Sequence, residues 1–192
     1  MTSLHGTPNE IIFNHMQQPY TLSYPPKPLP PDDSVLGLLL KSKENTIFAQ
    51  MIYASGFDGL LSNPLANVTL FLPPDKVLLT LQDSLYTTLS LVPLKNFVGY
   101  HIVRGALPVQ YMMGQRGFVE TYYPEENLEI RGFGLSPQIG EVYYSSAMVP
   151  SVWKQANVLL SNSDIRVGNS LIHLINQPLT PYIGTESRTR GY

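Results

Sequence analysis

The chain carries two kinds of hydrophobic pattern, one in each half. Before about residue 107, apolar residues recur at helical spacing, as in Ile47, Phe48, Met51 and Ile52, which share one helix face. After that point the apolar segments are short and rich in β-branched and aromatic residues, and Gly, Pro, Asn or Ser separates them. This order predicts helices around one early strand, followed by an antiparallel set of strands, which is an α+β fold.

Capping residues predict where the helices begin and end. Ser34 follows two aspartates and precedes the apolar segment VLGLLL, so it is expected to be an N-cap. Asn45 is a second candidate N-cap, and Gly56 is the expected end of that helix. Pro93 is expected to open a later helix, one face of which carries Leu94, Phe97, Val98 and His101.

The early strand is predicted at Val68–Leu72, and two prolines stop it because proline lacks the N–H that a strand ladder needs. Asp75 follows them, and we expect its carboxylate to cap the helix that begins there. The later strands are predicted in FVETYY (118–123), NLEIRG (127–132), EVYYSS (141–146), NVLLS (157–161) and SLIHLIN (170–176).

The two ends of the chain differ from its middle. Seven of the 17 prolines fall in the first 31 residues, a composition that favours an extended polyproline II path. We therefore predict a Pro-rich N-terminal arm at 1–33, one domain at 34–181 and a polar C-terminal tail at 182–192.

Composition excludes several kinds of site. The net charge is −2, from 12 basic and 14 acidic residues, so no strong positive field would attract nucleic acid. Cysteine is absent, which excludes disulfides and thiolate chemistry, and the histidines and acids are scattered, so we expect neither a metal nor a cofactor. Neither a signal-peptide pattern nor an apolar run long enough to span a bilayer is seen, so we expect a location in the cytoplasm or in a virion.

Three segments resemble, in order, the signatures of the fasciclin (FAS1) domain family. They are TLFLPPD (69–75), LKNFVGYHIVRGAL (94–107) and NSLIHLIN (169–176) with QPLTP (177–181) after it. The motif positions, which we expect to be structural, are Thr69, Phe71, Pro73, Asp75, Tyr100, His101, Asn169 and His173. The chain departs from the family pattern at Leu72, Pro74, Val77, Leu78, Ser170 and Asn176.

The resemblance implies a FAS1-like wedge, with an antiparallel β-sandwich core and several short helices. It also implies a binding module rather than an enzyme. His101 and His173 lie in apolar patterns, where histidine is more often a packed residue than a catalytic one. In secreted family members the Tyr-His pair, here Tyr100 and His101, is associated with integrin binding, so an integrin-type receptor is expected only if the protein is exported.

The arm and the tyrosines supply the candidate interaction residues. Two P-x-x-P patterns and a Tyr-Pro-x-x-x-Leu pattern fall in the arm; the first suits a groove for Pro-rich peptides and the second resembles a motif that recruits membrane-scission machinery. The competing interpretation is an arm that binds its own assembly. The residues concerned are Tyr24, Pro25, Pro28, Leu29 and Pro31.

Tyrosine pairs in two predicted strands should each turn one ring outward, because side chains alternate across a strand. We take Tyr122 and Tyr144 as the outward members, which would form an aromatic protein contact. The acidic cluster of Glu125, Glu126 and Glu129 is interpreted as a solvated turn.

These features predict a non-enzymatic interaction or structural module, held with other proteins of a larger assembly through the arm and the tail. A minor capsid or cement protein of a large DNA virus would have all of them. Two alternatives stay open: a cell-surface or matrix adhesion module, and a carrier of a small apolar ligand, which would need a closed apolar cavity.

Overall fold

The computed structural model describes residues 28–83, 89, 92–132, 136–140 and 155–181. In these residues helices cover one face of a mixed sheet, and a second, antiparallel sheet covers the other face. The helices are α1 (Val35–Lys41), α2 (Thr46–Ser55), α3 (Asp58–Leu61), α4 (Asp75–Thr80), α5 (Leu94–Tyr100) and α6 (Val109–Met112). The strands are β1 (Val68–Leu72), β2 (Ile102–Arg104), β3 (Arg116–Glu120), β4 (Asn127–Arg131), β5 (Gln138–Gly140), β6 (Gln155–Asn157), β7 (Ile165–Val167) and β8 (Ser170–Leu174), with a 3₁₀ turn at Leu160–Asn162.

The predicted caps at Ser34 and Gly56 are present, whereas Asn45 does not cap α2 through its side chain. The Ser34 hydroxyl accepts the Gly37 N–H at 3.1 Å, as an N-cap should. Gly56 ends α2 in the left-handed conformation, with φ of 81°. Asn45 lies at the N-cap position of α2, but its side chain makes no capping hydrogen bond there.

The first sheet has the strand order β2-β1-β8-β7. β1 pairs antiparallel with β2 and parallel with β8, in a register that sets Leu70 opposite Ile172. The predicted sandwich is therefore present, but this sheet is mixed and not antiparallel throughout. The long connection between β1 and β8, which includes the second sheet, allows the two strands to run in parallel.

The second sheet is antiparallel throughout, with the order β3-β4-β5-β6. β3 begins at Arg116 and ends at Glu120, so the segment FVETYY is only partly a strand. In NVLLS the strand β6 ends at Asn157 and a 3₁₀ turn follows. The segment EVYYSS (141–146) lies outside the described residues.

Three strands of three residues each, β2, β5 and β7, were not predicted, because three residues are too few to show an alternating pattern. None of the helices in the described part of the chain has the length and hydropathy to cross a membrane.

The core has two parts, one on each face of the first sheet. Leu70 and Leu72 of β1 pack with the helices, whereas Phe71 packs with the second sheet. All five residues of β1 are buried, so this strand is covered on both faces. The position of β1 explains its unbroken run of apolar and β-branched residues, VTLFL.

Just after β4 the backbone at Gly132 packs closely against the backbone of residues 112–115, and this close contact can be tested by mutation. The Gly132 N–H donates to the Gln115 carbonyl at 2.7 Å, and a β-carbon on Gly132 would overlap the Met112 carbonyl oxygen. We expect Gly132→Ala to lower the free energy of unfolding by about 1–3 kcal/mol in urea denaturation. Gly117→Ala is the control: a β-carbon there meets nothing within 4 Å, so a change within about 0.5 kcal/mol is expected. Equal losses in both variants would contradict this account.

Candidate functional site

Asp75 caps a helix, but not the helix that it begins. Its carboxylate accepts the backbone N–H groups of Thr46 and Ile47, both at 2.9 Å, and the Thr46 hydroxyl at 2.6 Å. The prediction that Asp75 caps its own helix is therefore wrong: it caps α2, from 29 residues along the chain. The Asp75 N–H in turn donates to the Glu44 carbonyl at 2.8 Å, so the two segments are bonded reciprocally. This bridge fixes the corner after β1 against the start of α2.

His101 joins three segments inside the core. Its side chain is 0% exposed and lies beside the rings of Phe48 and Phe97. The backbone N–H of Leu179 donates to its Nε2 at 2.9 Å, so the ring proton lies on Nδ1, which donates to the Phe97 carbonyl at 2.8 Å. The His101 carbonyl accepts the Phe71 N–H of β1. Both ring nitrogens thus make hydrogen bonds, which connect Leu179 near the end of the described residues to Phe97 of α5.

Tyr100, the other member of the Tyr-His pair, is also 0% exposed and packs edge-on against Tyr123. A receptor would not touch either side chain of the pair in this conformation.

His173 has the same role with the opposite tautomer. Its Nδ1 accepts the Asp164 N–H at 3.0 Å, and its Nε2–H donates to the Leu107 carbonyl at 2.9 Å. The Asp164 carboxylate accepts the Val109 N–H at 2.9 Å, which caps α6 from a distant loop, as Asp75 caps α2. Asp164 has a φ of 52°, an uncommon conformation for a residue other than glycine, which these bonds hold in place.

Thr69 and Ser170 satisfy backbone groups between strands. The Thr69 hydroxyl donates to the Gly105 carbonyl at 2.7 Å and accepts the Leu107 N–H at 2.8 Å. The Ser170 hydroxyl donates to the Ala66 carbonyl at 2.6 Å. A glycine, which the family pattern has at position 170, could not make this bond. Of the other motif residues, Pro73 and Phe71 are buried, and Asn169 is exposed in the β7–β8 turn.

Burial sets the protonation of both histidines. It lowers the pKa of His101 from 6.5 to about 4, and the hydrogen bond to Phe97 opposes part of that change. Burial also lowers the pKa of His173, against the hydrogen bond to Leu107 and the charge of Asp164. Both rings are therefore neutral near pH 7, as their acceptor roles require.

The candidate interaction residues of the arm are only partly described. Tyr24 and Pro25 lie outside the described residues. Pro28 and Pro31 are exposed, and Leu29 is 78% exposed.

The base of the arm is held against α1. Pro30 is buried, and the Pro31 carbonyl accepts the Ser34 hydroxyl at 2.6 Å. The last residues of the predicted arm thus pack on the domain, while Leu29 points to solvent.

Tyr122 does not form an outward strand residue as predicted. It follows β3 in a bend, is half-buried, and meets the Phe57 ring edge-on at 6.1 Å. The Arg104 guanidinium lies 4.3 Å from the centre of its ring, a cation–π contact within the domain. Its partner in the prediction, Tyr144, lies outside the described residues.

The prediction of a solvated turn holds for Glu125, which is exposed in a turn, but it is wrong for the other two acidic residues of the cluster. Glu126 is 5% exposed, and Glu129 of β4 is 0% exposed between two arginines. The Glu129 carboxylate accepts the Nε–H of Arg116 at 2.7 Å and the Nε–H of Arg131 at 2.9 Å. The pairing of Glu129 with these arginines depends on the register of β3 and β4. That register could not be predicted from the sequence, because the turn between the two strands was not known. Among the described residues, no group of His, Asp or Glu side chains is arranged to hold a metal ion.

The profile of the Fasciclin domain matches residues 43–181, which is more than half of the chain. The chain belongs to the fasciclin domain family. Among solved structures it is similar to a FAS1 domain pair from the insect cell adhesion molecule fasciclin I, with a TM-score of 0.55 and 21% sequence identity. That match covers 77% of this chain and 51% of the other, so the chain spans about half the length of the domain pair. No curated protein matches the chain significantly.

The FAS1 fold and the family resemblance are thus confirmed. Four of the motif residues, Thr69, Asp75, His101 and His173, make side-chain hydrogen bonds inside the domain.

The Asp75 bridge is testable as a long-range cap. Asp75→Ala should lower the free energy of unfolding by about 0.5–2 kcal/mol, because the N–H groups of Thr46 and Ile47 lose their acceptor. Thr46→Ala removes only the hydroxyl bond, and the double variant should cost less than the sum of the two. Strict additivity in urea denaturation would show that the Thr46 hydroxyl and the Asp75 carboxylate do not interact, and an Asp75→Ala variant as stable as the wild type would contradict the cap.

The neutral histidines predict acid sensitivity. Because the folded-state pKa of His101 is lowered from 6.5 to about 4, its contribution is complete above pH 6.5 and is lost as the pH falls to about 4. The loss should be on the order of 3 kcal/mol in unfolding free energy. His101→Gln should be less stable at pH 7 and should show a shallower decline between pH 6.5 and 4. An unchanged slope in the variant would refute the assignment.

Proposed function

We propose that this FAS1 domain is a non-enzymatic protein–protein interaction module, held with other proteins through its N-terminal arm. The observation that carries the proposal is the contrast between the interior and the base of the arm. The polar side chains of Thr69, Asp75, His101 and His173 bond to groups inside the domain. Leu29, in contrast, is 78% exposed directly beside the buried Pro30.

The state of the two histidines supports a role other than catalysis. A general base needs a ring nitrogen within reach of substrate. His101 and His173 are both 0% exposed, and each bonds backbone groups through both nitrogens. In the described part of the chain, these histidines are therefore structural.

The geometry at the base of the arm supports docking through it. Pro30 is buried and the Pro31 carbonyl accepts the Ser34 hydroxyl, so these two residues are held against α1. Leu29 and Pro28 then present apolar surface, and the preceding residues include the P-x-x-P and Tyr-Pro-x-x-x-Leu patterns. A proline-rich segment loses little conformational entropy on binding, which favours its use as a docking peptide.

Adhesion is the second candidate. The solved structure to which the chain is similar comes from a cell adhesion molecule, and this observation favours the adhesion alternative among those considered. The depression beside Leu79–Asp83 is open to solvent and does not favour the ligand-carrier alternative. The hypothesis of a minor capsid or cement protein gains no support from the family or from that structure, and it stays a prediction.

Site-specific photo-crosslinking tests the arm. A photoreactive residue is placed at Leu29 or, as a control, at Leu65, which is 77% exposed and lies outside the arm. We expect crosslinks to another polypeptide in the native cells from position 29 and not from position 65. Deleting residues 1–27 should abolish them and change Tm by less than about 2 °C. Crosslinks that are equal at both positions, or that survive the deletion, would count against the proposal.

A further inference from the structure

One face of β3 carries a basic, an aromatic and an acidic residue in a row. β3 pairs with β4 so that Gly117 and Val119 lie opposite Ile130 and Leu128, which belong to the core. Because side chains alternate along a strand, the residues between them point to the outer face of the second sheet. These outward residues are Arg116, Phe118 and Glu120.

This row is accessible. The Arg116 and Glu120 side chains are 59% and 77% exposed, and Phe118 is 53% exposed. No residue of β3 is fully buried: Gly117 and Val119 are half-buried, and the other three residues are exposed. The row places an aromatic residue beside an arginine, and both residue types are enriched at protein–protein interfaces.

The basic end of the row is held in place by the neighbouring strand. Glu129 of β4 lies opposite Phe118 in the register and is 0% exposed. Its carboxylate accepts the Nε–H of Arg116 at 2.7 Å, which fixes the position of the guanidinium. An arginine fixed in this way loses less side-chain entropy when it binds a partner.

The order of the three residues is self-complementary. Strand residues rise about 3.4 Å each, so Arg116 and Glu120 lie about 7 Å on either side of Phe118. Consider a two-fold axis that lies in the contact plane, perpendicular to the strand, and passes over Phe118. It sets Arg116 of one copy against Glu120 of the other, twice, and sets Phe118 against Phe118.

On β4 the same operation sets Arg131 of one copy over the exposed Asn127 of the other, because Arg131 and Asn127 lie opposite Arg116 and Glu120 in the register. It also sets Glu129 over Glu129, where each carboxylate is already paired with two arginines of its own chain.

We propose that the outer face of β3 and β4 is a homotypic interface, in which a second copy of this chain packs face to face about Phe118. The charge order favours a second copy over an unrelated partner, because one strand supplies both signs at matching distances from the centre. The contact that Glu120 makes within its own chain, to Arg104, has an N–O distance of 3.9 Å and joins two exposed side chains. A weak contact of this kind does not compete strongly with an arginine from the second copy.

This inference rests on the proposed function, since it names one partner of the interaction module. It is tested on the full chain by sedimentation velocity over a range of concentrations. We expect a wild-type dimer whose dissociation constant rises with salt, as the charge pairs are screened. Phe118→Asp should weaken dimerisation by roughly 30-fold or more without lowering Tm, because the centre of the contact becomes charged and the side chain is not in the core. Leu65→Asp, at an apolar residue that is more exposed than Phe118 and lies off this face, should dimerise as the wild type does.

A charge exchange tests the orientation. Glu120→Arg sets two arginines against each other and should also give a monomer. Mixed with Arg116→Glu, it should form a heterodimer, because opposite charges again meet. Arg116→Glu lies beside Glu129 and its folding is checked by Tm; if it does not fold, Phe118→Asp and Glu120→Arg decide.

A monomeric wild type at all concentrations would overturn this inference, and so would a dimer that Phe118→Asp and Glu120→Arg leave intact. If that monomer still forms crosslinks through position 29, the proposed function stands and only the homotypic interface fails. If a dimer forms through this face but no crosslinks form at position 29, the homotypic interface stands and docking through the arm fails.

Discussion

The fold depends on burying β1 on both of its faces. All five residues from Val68 to Leu72 are buried, at the centre of the first sheet. A strand in this position needs a cover on each side, and the chain provides helices on one side and a second sheet on the other. The second sheet lies in the chain between β2 and β7, and this long connection allows β8 to pair with β1 in parallel. The two cover layers follow from the burial of β1.

Burial on both faces leaves many backbone groups without water, and the polar motif residues supply their partners. Thr69 and Ser170 bond backbone groups at the ends of the first sheet. His101 and His173 each accept one backbone N–H and donate to one carbonyl. A buried N–H without an acceptor would cost about 1–3 kcal/mol, so each of these side chains matters for stability. Polar residues in the motifs of this domain are therefore compatible with a purely structural role.

Function is then left to the surface, and the surface has two features that the interior does not explain. One is the base of the arm, where Leu29 is exposed beside the buried Pro30. The other is the outer face of β3, where Phe118 lies between two opposite charges. The two proposals are independent, because docking of the arm on another protein and packing of the β3 face on a second copy would use different parts of the surface.

The sequence alone determined the class of fold, the family and several local features. Hydrophobic period and capping chemistry are local properties, so the α1 cap at Ser34, the end of α2 at Gly56 and the buried strand β1 were all predictable. Contacts between distant segments were not. Asp75 was recognised as a capping residue, but the helix it caps lies 29 residues earlier, and only tertiary packing brings the two together. Glu129 appeared to belong to a solvated turn until the register of β3 and β4 set it between Arg116 and Arg131. The type of a residue determines which hydrogen bonds and ion pairs its side chain can make, whereas the tertiary structure determines which partner lies close enough to make them.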